Sequence, residues 1–105
     1  MPAFQFKRYL RDRIVAGHKT QTLRVKLAPR IAVGARVTLM NGYQPGAVFG
    51  HATIVEVREV ARAKLTDLDA RRDGFNSAAE LNALLDDDDA PAKLWLIRWE
   101  GFTPC

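Results

Sequence analysis

The segment GHKTQTLR, residues 17 to 24, concentrates the side chains of this sequence that are best suited to proton transfer and nucleophilic attack. In an extended chain, Lys19 and Gln21 share one face, and Thr22 and Arg24 share the other. A lysine that is desolvated by a pocket has a lowered pKa and can accept a proton near neutral pH. A threonine hydroxyl beside such a base can attack a carbonyl carbon. The segment therefore indicates a catalytic pair, a basic strand that binds phosphate, or a solvated strand that binds nothing.

The backbone around this segment decides whether its side chains can meet. Strict strand alternation would separate Lys19 from Thr22, so both can reach one pocket only if the strand begins irregularly. The preceding residues 7 to 17, KRYLRDRIVAG, carry apolar side chains at helical spacing. Gly17 then stands where a helix C-terminal cap belongs. The segment is therefore predicted to lie where the chain leaves a helix and enters a strand.

The other elements predict a mostly antiparallel sheet. Strand-like patterns cover residues 3–6, 35–41, 51–65 and 93–102, with loops at 27–34 and 42–50. Two short helices lie between the last two strands. The first begins after Thr66 and stops at Gly74, and the second begins at Ser77, with Glu80 spaced for a capping box. This order favours an α+β fold, a small, largely antiparallel barrel or strongly bent sheet with helices at its rim.

Length and charge suit one small domain with an anionic partner. The 105 residues form a single predicted domain, 1–105, and 48% of them are hydrophobic. The formal net charge is +4, and residues 1 to 36 carry nine lysines and arginines against the single acid Asp12. Such an uneven distribution indicates nucleic acid or a nucleotide as partner, although a mildly basic surface also occurs without one.

The sequence predicts neither a metal site nor a membrane segment. Cys105 is the only cysteine, and His18 and His51 are too few and too far apart for a zinc motif. No apolar run reaches the roughly 18 residues of a membrane span, and no signal peptide is visible. We therefore expect a cytoplasmic protein with no cofactor, no membrane partner and no obligate protein partner.

With these elements in place, the sequence resembles the ASCH domain family of PUA-like barrels. Those domains carry a G-x-K-x-x-E/T-x-R signature directly after their first helix, and Gly17, Lys19, Thr22 and Arg24 fill its positions here. The resemblance continues through RRDGF (71–75) and the closing aromatic strand, so it spans almost the whole chain. It implies a small PUA-like, mostly antiparallel β-barrel with helices at the rim.

In size and motif the chain is most similar to the small bacterial ASCH amidohydrolases that deacetylate N(4)-acetylcytidine. The resemblance implies that Lys19 is the proton acceptor, Thr22 the nucleophile and Asp73 the proton donor. Asp73 departs from the family pattern, which has a glutamate there. Gly17 and Arg24 would belong to the substrate-binding site, with Arg24 orienting the base or the sugar.

Further candidates and two other functions stay open. Tyr43 and Phe49 flank a glycine-rich loop and could stack on a base, or could pack as ordinary rim or core aromatics. The same cleft would also suit an RNA-binding module without chemistry, or a ribonuclease acting on single-stranded RNA. The expected ligand is thus a modified pyrimidine nucleoside or RNA.

Overall fold

A computed structural model describes all residues 1–105. The elements in chain order are β1 (Ala3–Gln5), α1 (Arg8–Val15), β2 (Gln21–Arg24), β3 (Arg36–Met40), β4 (Val48–Ala61), a 3-10 turn (Arg62–Lys64), α2 (Asp67–Arg72), α3 (Ala78–Asp87) and β5 (Lys93–Pro104). The predicted order of strands and helices is confirmed. None of the three helices is long and apolar enough to cross a membrane.

The five strands form one curled sheet in the order β1-β3-β4-β5-β2. The pairs β3–β4, β4–β5 and β2–β5 are antiparallel, and only the short β1–β3 pair is parallel. Together with the three helices, this sheet forms a small, mostly antiparallel half-barrel, which confirms the expected α+β, PUA-like barrel class. Because β1 and β2 are the two edges and do not pair, the barrel is open between them.

The long strand β4 gives the sheet its curvature. Its register against β5 shifts between His51 and Thr53 and again between Ile54 and Glu56. Such bulges bend a strand and increase its twist, which brings the two sheet edges towards each other. The strand begins at Val48 and ends at Ala61, so the predicted loop 42–50 is shorter than expected and the predicted strand 51–65 is shifted towards the N-terminus.

Two apolar clusters cover the two sides of the sheet. The larger cluster contains Trp99, whose ring meets Phe6 edge to face with centroids 5.9 Å apart. The smaller cluster packs helices α2 and α3 against the sheet through Ala70, Leu81 and Leu85. Strand β5 contributes to both clusters because it is covered on both faces. The helices that carry part of the site are therefore fixed to the sheet by a core of their own.

The helix ends are set by short-range capping. Thr66 and Asp69 form a full capping box at the start of α2, where only the Thr66 cap was expected. At α3 the Ser77 hydroxyl accepts from the Glu80 N–H, as expected. The Glu80 carboxylate, however, accepts from the Asn76 side chain at 3.1 Å instead of completing a box. The predicted box at α3 is thus only half formed.

Candidate functional site

The opening between strands β1 and β2 holds a cavity of about 230 Å³. Its walls come from three directions: the end of β1 with the start of α1, strand β2, and the inner face of α3. The lining includes Gln5, Phe6, Lys7, Tyr9, Lys19, Thr22, Leu23, Arg24, Asp73, Phe75, Leu81, Leu84, Leu85 and Asp88. Lys19, Thr22, Arg24 and Asp73, four of the residues predicted from sequence, therefore share one cavity.

Lys19 reaches this cavity because helix α1 ends in a left-handed glycine. Gly17 has φ +84° and donates its N–H to Ile14, and the N–H of His18 bonds to Arg13. These two bonds form a Schellman motif, which reverses the chain direction immediately after the helix. Strand β2 begins only at Gln21, so Lys19 precedes the regular alternation. This irregular start allows Lys19 and Thr22 to line the same cavity.

Asp73 arrives from the opposite side through a second turn of the same kind. It caps helix α2, and Gly74 follows with φ +94°. The N–H of Gly74 bonds to Arg71, and the N–H of Phe75 bonds to Ala70, which is again a Schellman motif. A Cβ on Gly74 would lie only 3.3 Å from the Cβ of Lys19. The glycine thus permits the close approach of the two turns that brings Asp73 to Lys19.

Lys19 and Asp73 form a buried pair. The Lys19 Nζ lies 2.5 Å from Oδ1 of Asp73 and donates a second bond to its backbone carbonyl at 2.9 Å. The two side chains are only 2% and 6% exposed. Gln21 completes the arrangement, because its Nε2 donates to Oδ2 of Asp73 at 3.3 Å and to the backbone carbonyl of Asp69 at 3.1 Å. Both oxygens of the Asp73 carboxylate therefore accept a hydrogen bond.

Burial lowers the pKa of the Lys19 ammonium below its ordinary value of 10.5. The negative charge of Asp73 and its hydrogen bond oppose this effect, and the cations Arg24 and Arg13 add to it weakly. Loss of hydration is the largest cause, because hardly any of the Lys19 side chain meets solvent. A lysine in this environment gives up its proton more readily than a surface lysine does.

Arg24 donates a hydrogen bond to the hydroxyl of Thr22. Its Nε donates to Oγ1 of Thr22 at 3.2 Å, and its Nη2 donates to the backbone carbonyl of Gln5 at 3.0 Å, which bridges the open edge between β2 and β1. Its guanidinium lies 5.0 Å and 5.1 Å from the ring centroids of Phe4 and Phe6. Burial lowers the pKa of Arg24, but an arginine stays protonated at any physiological pH. A positive donor thus faces the oxygen of Thr22.

Three of the predicted substrate-binding residues do not line the cavity. Gly17 supplies the backbone turn described above, and no atom lies within 4 Å of the position its Cβ would take. Tyr43 is 87% exposed in the loop between β3 and β4. Phe49 packs against Phe6 and Phe102 with centroids 6.4 Å and 6.3 Å away, since β4 begins before it and turns its ring towards the core.

Sequence reasoning missed two residues that shape the site. Gln21, only 1% exposed, holds Asp73, and its own Oε1 has no partner. The extended-chain pattern in the sequence, which puts Lys19 and Gln21 on one face, was the signal that could have found it. Arg13 donates to the carbonyl of Gly74 at 2.8 Å and so ties α1 to the α2 turn. No local pattern marks Arg13, because its partner is 61 residues away.

No group of three or more His, Cys, Asp or Glu side chains in the chain is arranged to hold a metal ion. The polar side chains gathered around the buried pair are the Lys19 amine, the Thr22 hydroxyl, the Arg24 guanidinium and the Asp73 carboxyl group. This set suits proton transfer and acyl chemistry.

Comparison with known proteins identifies the fold through structure. No family model and no curated protein matches the sequence. An ASCH protein from Zymomonas mobilis superposes with a TM-score of 0.73 at 20% identity, over 97% of this chain and 68% of that one. An ASCH domain from Lactobacillus crispatus gives 0.77 at 16% identity, over 94% and 77% of the two chains. Protein EF3133 from Enterococcus faecalis gives 0.70 at 13% identity, over 99% and 77%.

These matches cover between 94% and 99% of this chain. The resemblance seen in the short signature at residues 17 to 24 thus extends to the arrangement of the whole chain. The protein has the fold of the ASCH domains.

Proposed function

We propose that the protein is an amidohydrolase that deacetylates N(4)-acetylcytidine or a related acylated pyrimidine nucleoside. One observation carries the proposal: the buried Lys19, whose pKa is lowered, shares a small cavity with the hydroxyl of Thr22 and the carboxyl group of Asp73. These are the base, nucleophile and acid that acyl transfer from an amide requires.

The size and lining of the cavity support a single base as ligand. Its volume of about 230 Å³ is smaller than the roughly 300 Å³ at which pockets for drug-sized ligands begin. Leu81, Leu84 and Leu85 form an apolar wall on α3, and Phe6 and Tyr9 add aromatic surface. A flat pyrimidine ring suits such walls, and Arg24 offers a donor to its polar edge.

The reaction starts with Lys19 as a neutral amine and Asp73 as a carboxylic acid. An ammonium with a carboxylate, and a neutral amine with a carboxylic acid, contain the same number of protons. The second form differs by a proton shift along the 2.5 Å contact. Without substrate the pair is an ammonium with a carboxylate. A substrate that expels water from the cavity favours the second form, because desolvation penalises both charges of the first. The pair can therefore supply a base and an acid together without exchanging a proton with solvent.

Acyl transfer then follows in two balanced steps. Neutral Lys19 takes the proton of Thr22 as its Oγ1 bonds to the acetyl carbon, and Arg24 stabilises charge on that oxygen through its 3.2 Å contact. The C–N bond breaks as the acid proton of Asp73 passes to the leaving exocyclic amine, which yields cytidine and an acetyl ester on Thr22.

Hydrolysis of the ester restores the site. Asp73, now a carboxylate, takes a proton from water as the water oxygen attacks the ester carbon. The ammonium of Lys19 returns its proton to Oγ1 of Thr22 as the ester bond breaks and acetic acid leaves. Each group ends in its starting state, and no metal takes part in any step.

The shorter acid is compatible with this role. Asp73 caps helix α2, and its turn approaches Lys19 so closely that a Cβ at position 74 would lie 3.3 Å from the Lys19 Cβ. The backbone is thus near enough for an aspartate to contact Lys19 directly, where a longer side chain would need more space. Gln21 further fixes the carboxyl group by holding Oδ2.

Acetate release from N(4)-acetylcytidine tests the proposal, with Lys19→Ala and Thr22→Ala as variants. Exposed Lys26 lines no cavity, so Lys26→Ala is the matched control. We expect turnover in the wild type and the control, and its loss in both site variants, whose folding is checked by circular dichroism. Full activity of a folded Lys19→Ala protein would refute the mechanism.

A wild type without turnover would redirect the assignment. Salt-dependent binding of RNA without any product would support a binding module, because phosphate contacts release counterions. A cut phosphodiester would support a ribonuclease that uses the same lysine and hydroxyl.

A further inference from the structure

A second cleft lies beside the first cavity. It has a volume of about 360 Å³ and is lined by Arg13, His18, Arg71, Gly74, Phe75, Asn76 and Glu80. Phe75 lines both spaces, so its ring forms part of the wall between them. The two spaces therefore adjoin at Phe75.

The second cleft carries side-chain hydrogen-bond donors that the fold does not use. The side chains of Arg71 and His18 make no hydrogen bond or ion pair within the chain. Arg13 donates one N–H to the carbonyl of Gly74 at 2.8 Å, and its other N–H groups have no partner within the chain. The single carboxylate, on Glu80, accepts a hydrogen bond from Asn76 at 3.1 Å. Two guanidinium groups thus outweigh one acid.

Arg13 is also fixed in place, which prepares it for a ligand. Its guanidinium lies 5.1 Å from the ring centroid of Tyr9 and 5.1 Å from that of Phe75. Both rings also line the first cavity. A guanidinium held between two rings loses little side-chain freedom on binding, and its planar donors match the oxygens of a phosphate.

We propose that the second cleft binds the phosphate group of a nucleotide whose base occupies the first cavity. This inference rests on the proposed base-binding role of that cavity, and it names the substrate class as a nucleotide instead of a free nucleoside. Arg71 and Arg13 are the phosphate ligands, and His18 supplies a further donor. The phosphate belongs either to a mononucleotide or to an RNA chain.

Binding measurements test the subsite without requiring turnover. The probes are cytidine and cytidine 5′-monophosphate, titrated by calorimetry at low and at physiological salt. Charge-assisted hydrogen bonds are worth about 1.5–3 kcal/mol, so we expect the monophosphate to bind about tenfold or more tightly than cytidine at low salt. Added salt should reduce this preference.

The variant Arg71→Ala tests the residue assignment. Arg71 is exposed and unpaired, so its removal is compatible with folding. We expect the preference for the monophosphate to fall to about threefold or less, since one of two guanidinium ligands is lost. Exposed Arg30 lines neither space, and Arg30→Ala, with the same change in net charge, should keep the wild-type preference.

Equal affinity of the wild type for cytidine and its monophosphate would overturn the inference, as would an unchanged preference in Arg71→Ala. Acetate release from the nucleoside tests the proposed function separately. A failed phosphate preference and a failed deacetylation are therefore distinguishable. A short single-stranded RNA containing N(4)-acetylcytidine distinguishes the two phosphate sources. Tighter binding of this RNA than of the monophosphate would assign the cleft to RNA, and the reverse order would assign it to mononucleotides.

Discussion

The substitution Asp73→Asn isolates the charge of the buried pair. The asparagine keeps an acceptor for the Lys19 Nζ, and the backbone carbonyl at position 73 still accepts its second bond at 2.9 Å. The substitution removes the counter-charge of a lysine that is 2% exposed, and it replaces the Oδ2 that accepts from Gln21 Nε2 by an amide nitrogen. Breaking a buried pair by removing one partner costs about 3–5 kcal/mol. Because both hydrogen bonds of Lys19 can persist, we expect a loss near the lower limit, about 3 kcal/mol at neutral pH.

The pH dependence of this loss follows from Lys19. Its pKa in the folded protein is already lowered by burial, and the carboxylate of Asp73 is the strongest influence that raises it. Without that charge the folded pKa falls further, while the unfolded value stays at about 10.5. The folded variant then binds fewer protons than the unfolded chain over a wider pH range. Its stability therefore rises with pH across that range, by at most about 1.4 kcal/mol per pH unit.

Urea unfolding from pH 6 to 9.5 measures the effect in the wild type, Asp73→Asn and the double variant Lys19→Met/Asp73→Asn. We expect the deficit of Asp73→Asn to be largest at pH 6 and to shrink as the pH rises. The double variant removes the unpaired charge and should regain most of the lost stability. A deficit below about 1 kcal/mol that does not vary with pH would refute the view that Lys19 and Asp73 form a desolvated pair.

Three further predictions concern the nucleophile, its arginine and the two turns. Thr22→Val should lower acetate release by about 1,000-fold or more, whereas Thr22→Ser, which keeps a hydroxyl, should retain measurable turnover. Arg24→Lys should reduce kcat/KM about tenfold, since the Nε contact with the Thr22 hydroxyl is lost although the charge remains. Gly74→Ala should cost about 2–3 kcal/mol in urea unfolding, because its φ is +94° and the new Cβ meets Arg13 and Lys19. Gly17→Ala should cost only about 1 kcal/mol, since its positive φ is strained but its surroundings are open; equal costs at the two glycines would contradict the close approach of the turns.

The prediction of elements from sequence succeeded where short-range interactions decide. The apolar spacing before Gly17 and the cap at Thr66 depend on neighbours three or four residues away, and both are present in the fold. The loop before β4 was predicted too long, because the strand extends to Val48 by pairing with Met40 across the sheet. Strand ends of this kind depend on a partner that local patterns do not reveal.

The sequence by itself determined which residues are candidates for the chemistry, since Lys19, Thr22 and Arg24 stand together in one short polar segment. Only the tertiary structure decided that Asp73 contacts Lys19 across 54 residues, that Gln21 and Arg13 hold the pair, and that Tyr43 and Phe49 lie elsewhere. The physical reason is desolvation. Side-chain types are properties of the chain, but the lowered pKa of Lys19 arises only when two helix ends and the sheet edge exclude water from it.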